Sequence, residues 1–256
     1  MVNFQVVRVI GLLVCGFYFS LVGAVTGKDF MAANDKQAGV VTTPSGLQYK
    51  VVSEGSGPSP AATDLVKVHY HGTLIDGTVF DSSVERGSPT SFALNRVIKG
   101  WTEGLQTMKQ GGKTTFYIPP DIAYGSKAVG PIPPNSTLVF EVELLRVFKL
   151  NTPSSLDEVK AFKIASMDCG TPPELPANKD QLKSVQRSAD TYSTCAQDYY
   201  KYVTMQMEGL MGLLEGNDED MRDAVLDKLR DSKKAVAVQL DPVITFLDKY
   251  QALQTM

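Results

Sequence analysis

Few residues in this chain could carry acid–base, nucleophilic or metal chemistry. Its 256 residues include 2 histidines and 3 cysteines. His69 and His71 lie two apart, which on a strand puts them on one face. Neither a cysteine nor a third histidine accompanies them to complete a metal site, so they read as polar residues of an outer strand face. No Gly-x-Ser-x-Gly, phosphate-binding glycine loop or Cys-x-x-Cys is present, and a Ser–His or Cys–His mechanism has little to work with. What stands out is an aromatic set, Tyr70, Phe80, Trp101, Tyr124 and Phe140, with a fixed charge, Asp81, next to Phe80. Val97-Ile98-Lys99-Gly100 introduces Trp101, the sole tryptophan. Any chemistry here would rest on an apolar surface and one carboxylate. Taken one at a time, these residues are better explained as core.

The elements that must position them are strands. Leu47–Val52 partly alternates between apolar and polar residues, and Val66–Tyr70 alternates cleanly; Thr114–Ile118 and Leu138–Leu145 continue the pattern. Gly55-Ser56-Gly57-Pro58, Asp76-Gly77, Gly111-Gly112 and the prolines from Pro131 to Pro134 supply turns. One short helix fits Lys99–Met108. The expected fold of residues 43–148 is α+β, an antiparallel sheet wrapped on a short helix.

After Asn151-Thr152-Pro153 the period becomes helical and the charge balance turns acidic. Ser155 with Glu158 forms a capping box for a helix running to about Met167. Asn178 with Gln181 opens a long helix with Leu182, Val185, Ala189, Tyr192, Ala196, Tyr199, Val203, Met207, Leu210 and Leu214 on one face. Gly216-Asn217-Asp218 ends it. A last helix starts near Glu219, with Met221, Val225, Leu229, Val236, Leu240, Val243, Leu247 and Tyr250 on one side and a kink expected at Pro242. Residues 149–256 are therefore expected to form an all-α hairpin domain. Its tyrosines and methionines read first as the hairpin's own core and second as an adaptable binding surface.

Residues 1–24 read as a secretory signal peptide, with an apolar run from Val9 to Val25 and small residues at Val22-Gly23-Ala24. A retained membrane anchor is the alternative. Removing the leader leaves Cys169 and Cys195, an even count that in an exported protein favours a disulfide. The geometry allows it. The proline-rich strap from Cys169 to Asn178 reaches roughly 28 Å in polyproline form, and Cys195 lies about 25 Å along the helix from Asn178.

The motifs in the sheet half resemble the FKBP-type peptidyl-prolyl cis/trans isomerases, in particular the bacterial branch of macrophage-infectivity-potentiator-like proteins. They are Pro44-Ser45-Gly46-Leu47-Gln48-Tyr49, Val68-His69-Tyr70-His71-Gly72-Thr73-Leu74, Asp76-Gly77-Thr78-Val79-Phe80-Asp81-Ser82-Ser83, Val97-Ile98-Lys99-Gly100-Trp101, Ala123-Tyr124-Gly125 and Ile132-Pro133-Pro134 through Leu138-Val139-Phe140. The resemblance implies an FKBP-like fold and a pocket of Tyr70, Phe80, Val97, Ile98, Trp101, Tyr124, Ile132 and Phe140. Trp101 would form its floor, and the Ile98 N–H and Tyr124 hydroxyl would hold substrate carbonyls. Asp81 would stand at the rim, bonded to Tyr70 and paired with Arg86. Twisting an X-Pro bond breaks amide resonance against a barrier of roughly 18–20 kcal/mol. The twisted amide is less polar than the planar one, so a dry aromatic pocket favours it without metal or cofactor.

Two departures from the family pattern touch substrate preference. Thr90 stands where an aromatic is often found, with Phe92 two residues on, and the loop from Gly125 to Pro131 is short. Residues 25–42 are expected as a linker with a short helix, since Phe30–Lys36 resembles the end of the long helix of dimeric relatives. The helical dimerisation region that precedes it there has no counterpart, so that route to a dimer is expected to be lost. The resemblance further implies proline-containing, unfolded or partly folded proteins as partners and macrolide ligands of the pocket; a protein partner docked by the helices is a separate reading compatible with it. It places the chain in the bacterial periplasm, or a secretory lumen in a eukaryote. A non-catalytic peptide-binding chaperone or scaffold is the competing function. A net charge of −3 and pI near 5.5 argue against nucleic acid, and stable membrane insertion of the mature chain is not expected.

Overall fold

The computed structural model describes residues 25–166, 169–215 and 217–255; the signal-peptide reading therefore lies outside the described residues. Helix α1 (Gly27–Asn34) leads into strands β1 (Val40–Thr42), β2 (Gln48–Ser53), β3 (Leu65–Leu74), β4 (Val79–Ser82) and β5 (Thr90–Ala93). Helix α2 (Lys99–Gln106), β6 (Lys113–Ile118) and β7 (Leu138–Phe148) complete the first half. The strands make one seven-stranded antiparallel sheet in the order β1-β2-β6-β7-β3-β4. β3 is shared along its outer edge: β5 pairs with Leu65–Val68 and β4 with His71–Thr73. Residues 25–42 are not a free linker. β1 is the sheet's edge strand, and the buried Asn34 donates a 2.9 Å hydrogen bond to Gln48 Oε1.

The alternation read from the sequence has a direct physical outcome. On β3, Val66, Val68, Tyr70 and Gly72 are buried, while Lys67, His69 and His71 turn outward. On β6, Thr114, Phe116 and Ile118 face inward. Helix α2 lies on this inner face with Trp101 and Leu105 buried. Gly104 lets it approach, because a Cβ there would stand 2.7 Å from the Phe116 ring.

A bulge between β3 and β7 joins the two halves of the molecule. Val68 pairs with Leu144 but Lys67 with Arg146, so Leu145 is the extra residue. The extra residue reverses the facing of everything after it. Val147 then joins the inner core, while Phe148 turns to the outer face beside Leu65. The sheet thereby gains an apolar outer patch at one end, and the helices cover it.

Those helices are α3 (Leu156–Ala161), α4 (Lys179–Met211) and α5 (Glu219–Thr255). Both capping residues act as expected: Ser155 accepts from the Glu158 N–H and Asn178 from the Gln181 N–H. α3 stops at Ala161, well short of Met167, because Phe162 turns extended and buries against Val159, Leu210 and Val225. α4 gives way to a short 3-10 turn at Gly212–Leu214, and α5 runs on through Pro242. Cys169 and Cys195 are joined by a disulfide with Cα atoms 5.7 Å apart, tying the proline-rich strap to α4.

α4 buries more than the single stripe its periodicity predicts. Leu182, Ala189, Tyr192 and Ala196 pack with Phe246, Tyr250 and Leu253 of α5. Farther along, Tyr199, Tyr202 and Val203 pack on Leu65 and Phe148 of the sheet. At the centre of that junction Asp198, only 4% exposed, receives Lys67 Nζ at 2.7 Å and Ser91 Oγ at 2.5 Å. Lys67 and Ser91 are cross-strand neighbours, so one carboxylate on α4 clamps two strands.

Candidate functional site

The site is built where β3 divides its edge between β4 and β5. β4 carries its own bulge, since Gly72 pairs with Asp81 but Thr73 with Val79. Phe80 is the extra residue. Its ring comes to 5.3 Å from the Phe140 ring, edge to face. Gly72 makes room for both rings, because a Cβ there would lie 2.7 Å from Phe80 and 2.9 Å from Phe140. Serine fixes the turn that follows: the Tyr70 N–H donates to Ser83 Oγ at 2.8 Å, and the Ser83 N–H to the Tyr70 carbonyl at 3.0 Å.

Trp101 sits at the centre, 4% exposed. Around it stand Tyr70 at 5.4 Å, Phe92 at 5.4 Å and Phe140 at 5.2 Å, all edge to face. This arrangement sets the positive edge of one ring against the negative face of the next. Among the described residues the Trp101 indole Nε1 is the one buried side-chain polar atom without a hydrogen-bond partner. Such exceptions cost about 1–3 kcal/mol and are uncommon in a well-packed protein.

A cavity of about 630 Å³ opens over this floor. Tyr70, Phe80, Asp81, Val97, Ile98, Trp101, Tyr124, Ile132 and Phe140, all expected there from the sequence, line it together. Loop contacts place the more distant ones. Ile132 is held by a two-bond bridge with Val129, and Tyr124 precedes Gly125, whose carbonyl accepts from the Asn135 N–H at 2.8 Å. Arg86 is not a wall residue but acts on two. It forms an ion pair with Asp81 and donates from Nη2 to the Tyr70 hydroxyl at 2.9 Å. The Tyr70 hydroxyl in turn donates to Asp81 Oδ2 at 2.5 Å.

The electrostatics follow from these contacts. Burial pushes the Asp81 carboxyl up, but the hydrogen bond from Tyr70 and the guanidinium of Arg86 outweigh it, leaving the group below its ordinary value. Burial raises the Tyr70 hydroxyl, reinforced by Asp81. It raises the Tyr124 hydroxyl as well, with the Asp81 charge adding to it. At neutral pH the cavity thus presents an ionised carboxylate at its rim and neutral phenols in its wall.

Sequence reasoning left Phe92 and Arg96 out of the site. Phe92 fills the wall beside Trp101 that Thr90 leaves bare, and the signal was its place two residues on, on the same strand face. Arg96 lines the cavity from the 3-10 turn Leu94–Arg96. The two histidines stay outside the cavity: His69 Nδ1 lies 3.1 Å from Ser83 Oγ and His71 Nδ1 3.0 Å from Ser82 Oγ.

Comparison with known proteins bears on the sheet half of the chain. Residues 57–145 match the family model of the FKBP-type peptidyl-prolyl cis-trans isomerases, and residues 23–51 that of the domain amino-terminal to it. Residues 23–145 thus carry an FKBP-type domain and the segment that precedes it in that family. It is 57% identical over 123 residues to the FKBP-type peptidyl-prolyl cis-trans isomerase FkpA of Aeromonas hydrophila, covering 48% of this chain and 46% of that protein. It is 49% identical over 124 residues to the outer membrane protein MIP of Legionella longbeachae, covering 48% and 53%. The crystal structure of FkpA from Escherichia coli is 55% identical, covering 47% of this chain and 57% of that one, with a TM-score of 0.47. The chain spans about half the length of the curated relatives it matches. The FKBP model match ends at residue 145, before α3, α4 and α5 begin.

Proposed function

We propose that this FKBP domain catalyses cis/trans interconversion of X-Pro bonds in exported, incompletely folded proteins. The observation that carries the reading is the cavity itself: an aromatic floor and walls, one clamped carboxylate at the rim, and no group poised to move a proton. The proline ring would lie on Trp101. The planar amide's charge separation is poorly accommodated among Phe80, Phe92 and Phe140, and twisting the C–N bond removes it. The Tyr124 hydroxyl, neutral at physiological pH, and the Ile98 N–H would each take one carbonyl flanking the bond, fixing the chain while it rotates. Asp81 engages the Tyr70 hydroxyl, so Tyr70 offers substrate its apolar ring. Apolar macrolides would compete for the same surface. The Cys169–Cys195 disulfide and the leader-like N-terminus support an oxidising compartment, the bacterial periplasm.

The test is a proline-limited refolding assay with residues 25–256. The wild-type chain should accelerate the slow phase. Tyr124→Phe, which keeps the ring and deletes one hydrogen bond, should lower kcat/KM about three- to tenfold. No acceleration by a chain that binds proline peptides would sink catalysis and leave a peptide-binding module.

A further inference from the structure

The isomerase cavity does not end at its own rim. Phe92, Arg96 and Val97 also line a second cavity of about 310 Å³ between β5 and helix α4. Its remaining wall includes Leu65 from the sheet and Tyr200, Thr204 and Met205 from α4. Tyr200 then lines a third cavity of about 430 Å³ between α4 and α5, together with Val203, Met207 and Ile244. Three concavities are thus linked in series by shared residues, running from the prolyl site across the sheet edge onto the helical hairpin.

Apolar side chains recur along the length of this track. Its floor is aliphatic, aromatic and thioether. The charges of the middle cavity, Arg96, Lys201 and Glu208, are already engaged: Arg96 pairs with Glu208 at 2.6 Å, and Lys201 Nζ donates to the Ser91 carbonyl at 3.3 Å. Lys233 and Asp241 add one charge of each sign to the wall of the third. Tyr200 is 58% exposed and Ile244 47% exposed. Large apolar residues kept in solvent beside a concave surface mark a contact site. Methionine and tyrosine suit one that must accept varied sequences. The buried Asp198 fixes the hairpin against β3 and β5 and so holds the track in line with the prolyl site.

We propose that the α4 face is an extended subsite for the same polypeptide that enters the isomerase cavity. Its occupant is an extended, apolar-rich segment flanking the prolyl bond on one side, as an incompletely folded protein would offer. The proposal rests on the isomerase reading for the position of the proline, and on the shared lining residues for the direction the chain takes. It gives the helices a role in binding rather than in the rotation step.

Binding separates the two readings, because Trp101 fluorescence reports occupancy of the prolyl cavity whether or not turnover follows. The probes are the tetrapeptide Ala-Leu-Pro-Phe and peptides of about ten residues that extend it with leucine and phenylalanine, at the N-terminal end in one series and the C-terminal end in the other. With residues 25–256, one series should bind about tenfold more tightly than the tetrapeptide, a gain of about 1.4 kcal/mol. Tyr200→Asp and Thr204→Arg, on exposed turns of α4, should abolish that gain while leaving tetrapeptide affinity unchanged. The proposal is overturned if neither series gains, or if both variants keep the gain. Isomerisation of the tetrapeptide, measured in parallel, bears only on the catalytic reading.

Discussion

Between Leu47 and Val147 the chain gathers its apolar side chains into one continuous core under one sheet, whereas beyond residue 150 it distributes them over three small clusters strung along α4. The first arrangement fixes the Trp101 floor from several directions at once, as a site that works by shape requires. The second cannot do this alone. Its clusters are held by a covalent link at the strap, by α5, and by one buried carboxylate against the sheet. A protein region with little core per residue opens at lower free energy than one with a single dense core. The contrast suits the two proposed roles, a rigid prolyl cavity beside an adaptable subsite.

The largest expected effect tests the dense half. Trp101→Ala removes the ring on which Tyr70, Phe92 and Phe140 converge and should cost about 3–5 kcal/mol of the sheet domain's stability. Isomerase activity should be lost at temperatures where circular dichroism still shows α4 and α5. If the helical signal falls together with the tyrosine signal of the sheet, the two halves are one cooperative unit and the contrast between them is wrong.

Reduction of Cys169–Cys195, or Cys169→Ser with Cys195→Ser, comes next. The bond closes a sequence separation of 26 residues, and losing it should cost about 3–4 kcal/mol in the chain-entropy model. The loss should fall on the helical transition in urea and leave tetrapeptide turnover unchanged. Asp198→Ala should cost less, about 1.5–3 kcal/mol, because Lys67 is partly exposed and can recover water. Its signature is different. It should loosen the docking of α4 on β3 and β5, seen as faster amide exchange in both, with the strap intact.

How much of this was legible in the residues differs between the halves for a physical reason. Strand alternation and turn chemistry are local, so β2, β3, β6, β7 and α2 could be placed from short windows. The motifs around Tyr70, Phe80, Trp101 and Tyr124 then placed the cavity. The bulges were not legible. Nothing local says that Leu145 is extra, yet that one residue turns Phe148 outward and creates the platform for the helices. Phe80 as a bulged residue, and Phe92 as the wall beside Trp101, likewise depend on pairing across strands. In α4 the apolar stripe could be seen, but the burial of Asp198 and Tyr202 could not. Their partners, Lys67, Ser91 and Phe148, lie more than fifty residues away in sequence.

The smallest effect at neutral pH is one read by titration, through a single group of the helical half. In the cavity, Asp81 lies below its ordinary value of 3.8, and Tyr70 and Tyr124 above theirs of 10.0. A depressed carboxyl contributes stability that is present above its unfolded value and lost only as pH falls through the lower folded value. Asp81 therefore stays ionised and Tyr70 and Tyr124 stay protonated between pH 5 and 9, and tetrapeptide binding should be flat across that range. The helical hairpin holds a different group. Tyr250, buried between α4 and α5, donates to Asp190 and accepts from Gln186 Nε2 at 2.5 Å. Burial, then the Asp190 carboxylate, pushes it up to about 12. Its sign is the reverse of Asp81's. The hydroxyl's contribution is whole below pH 10, where both folded and unfolded chains keep the proton. It is lost between pH 10 and about 12, as the unfolded chain releases that proton first. Urea unfolding at pH 9 and pH 11 should therefore show the helical midpoint falling, and Tyr250→Phe should lessen that fall, leaving the part due to the buried Tyr192 and Tyr199 and the sheet transition where they were. A helical midpoint that is equally pH-dependent with phenylalanine at this position would assign the alkaline loss to some other group.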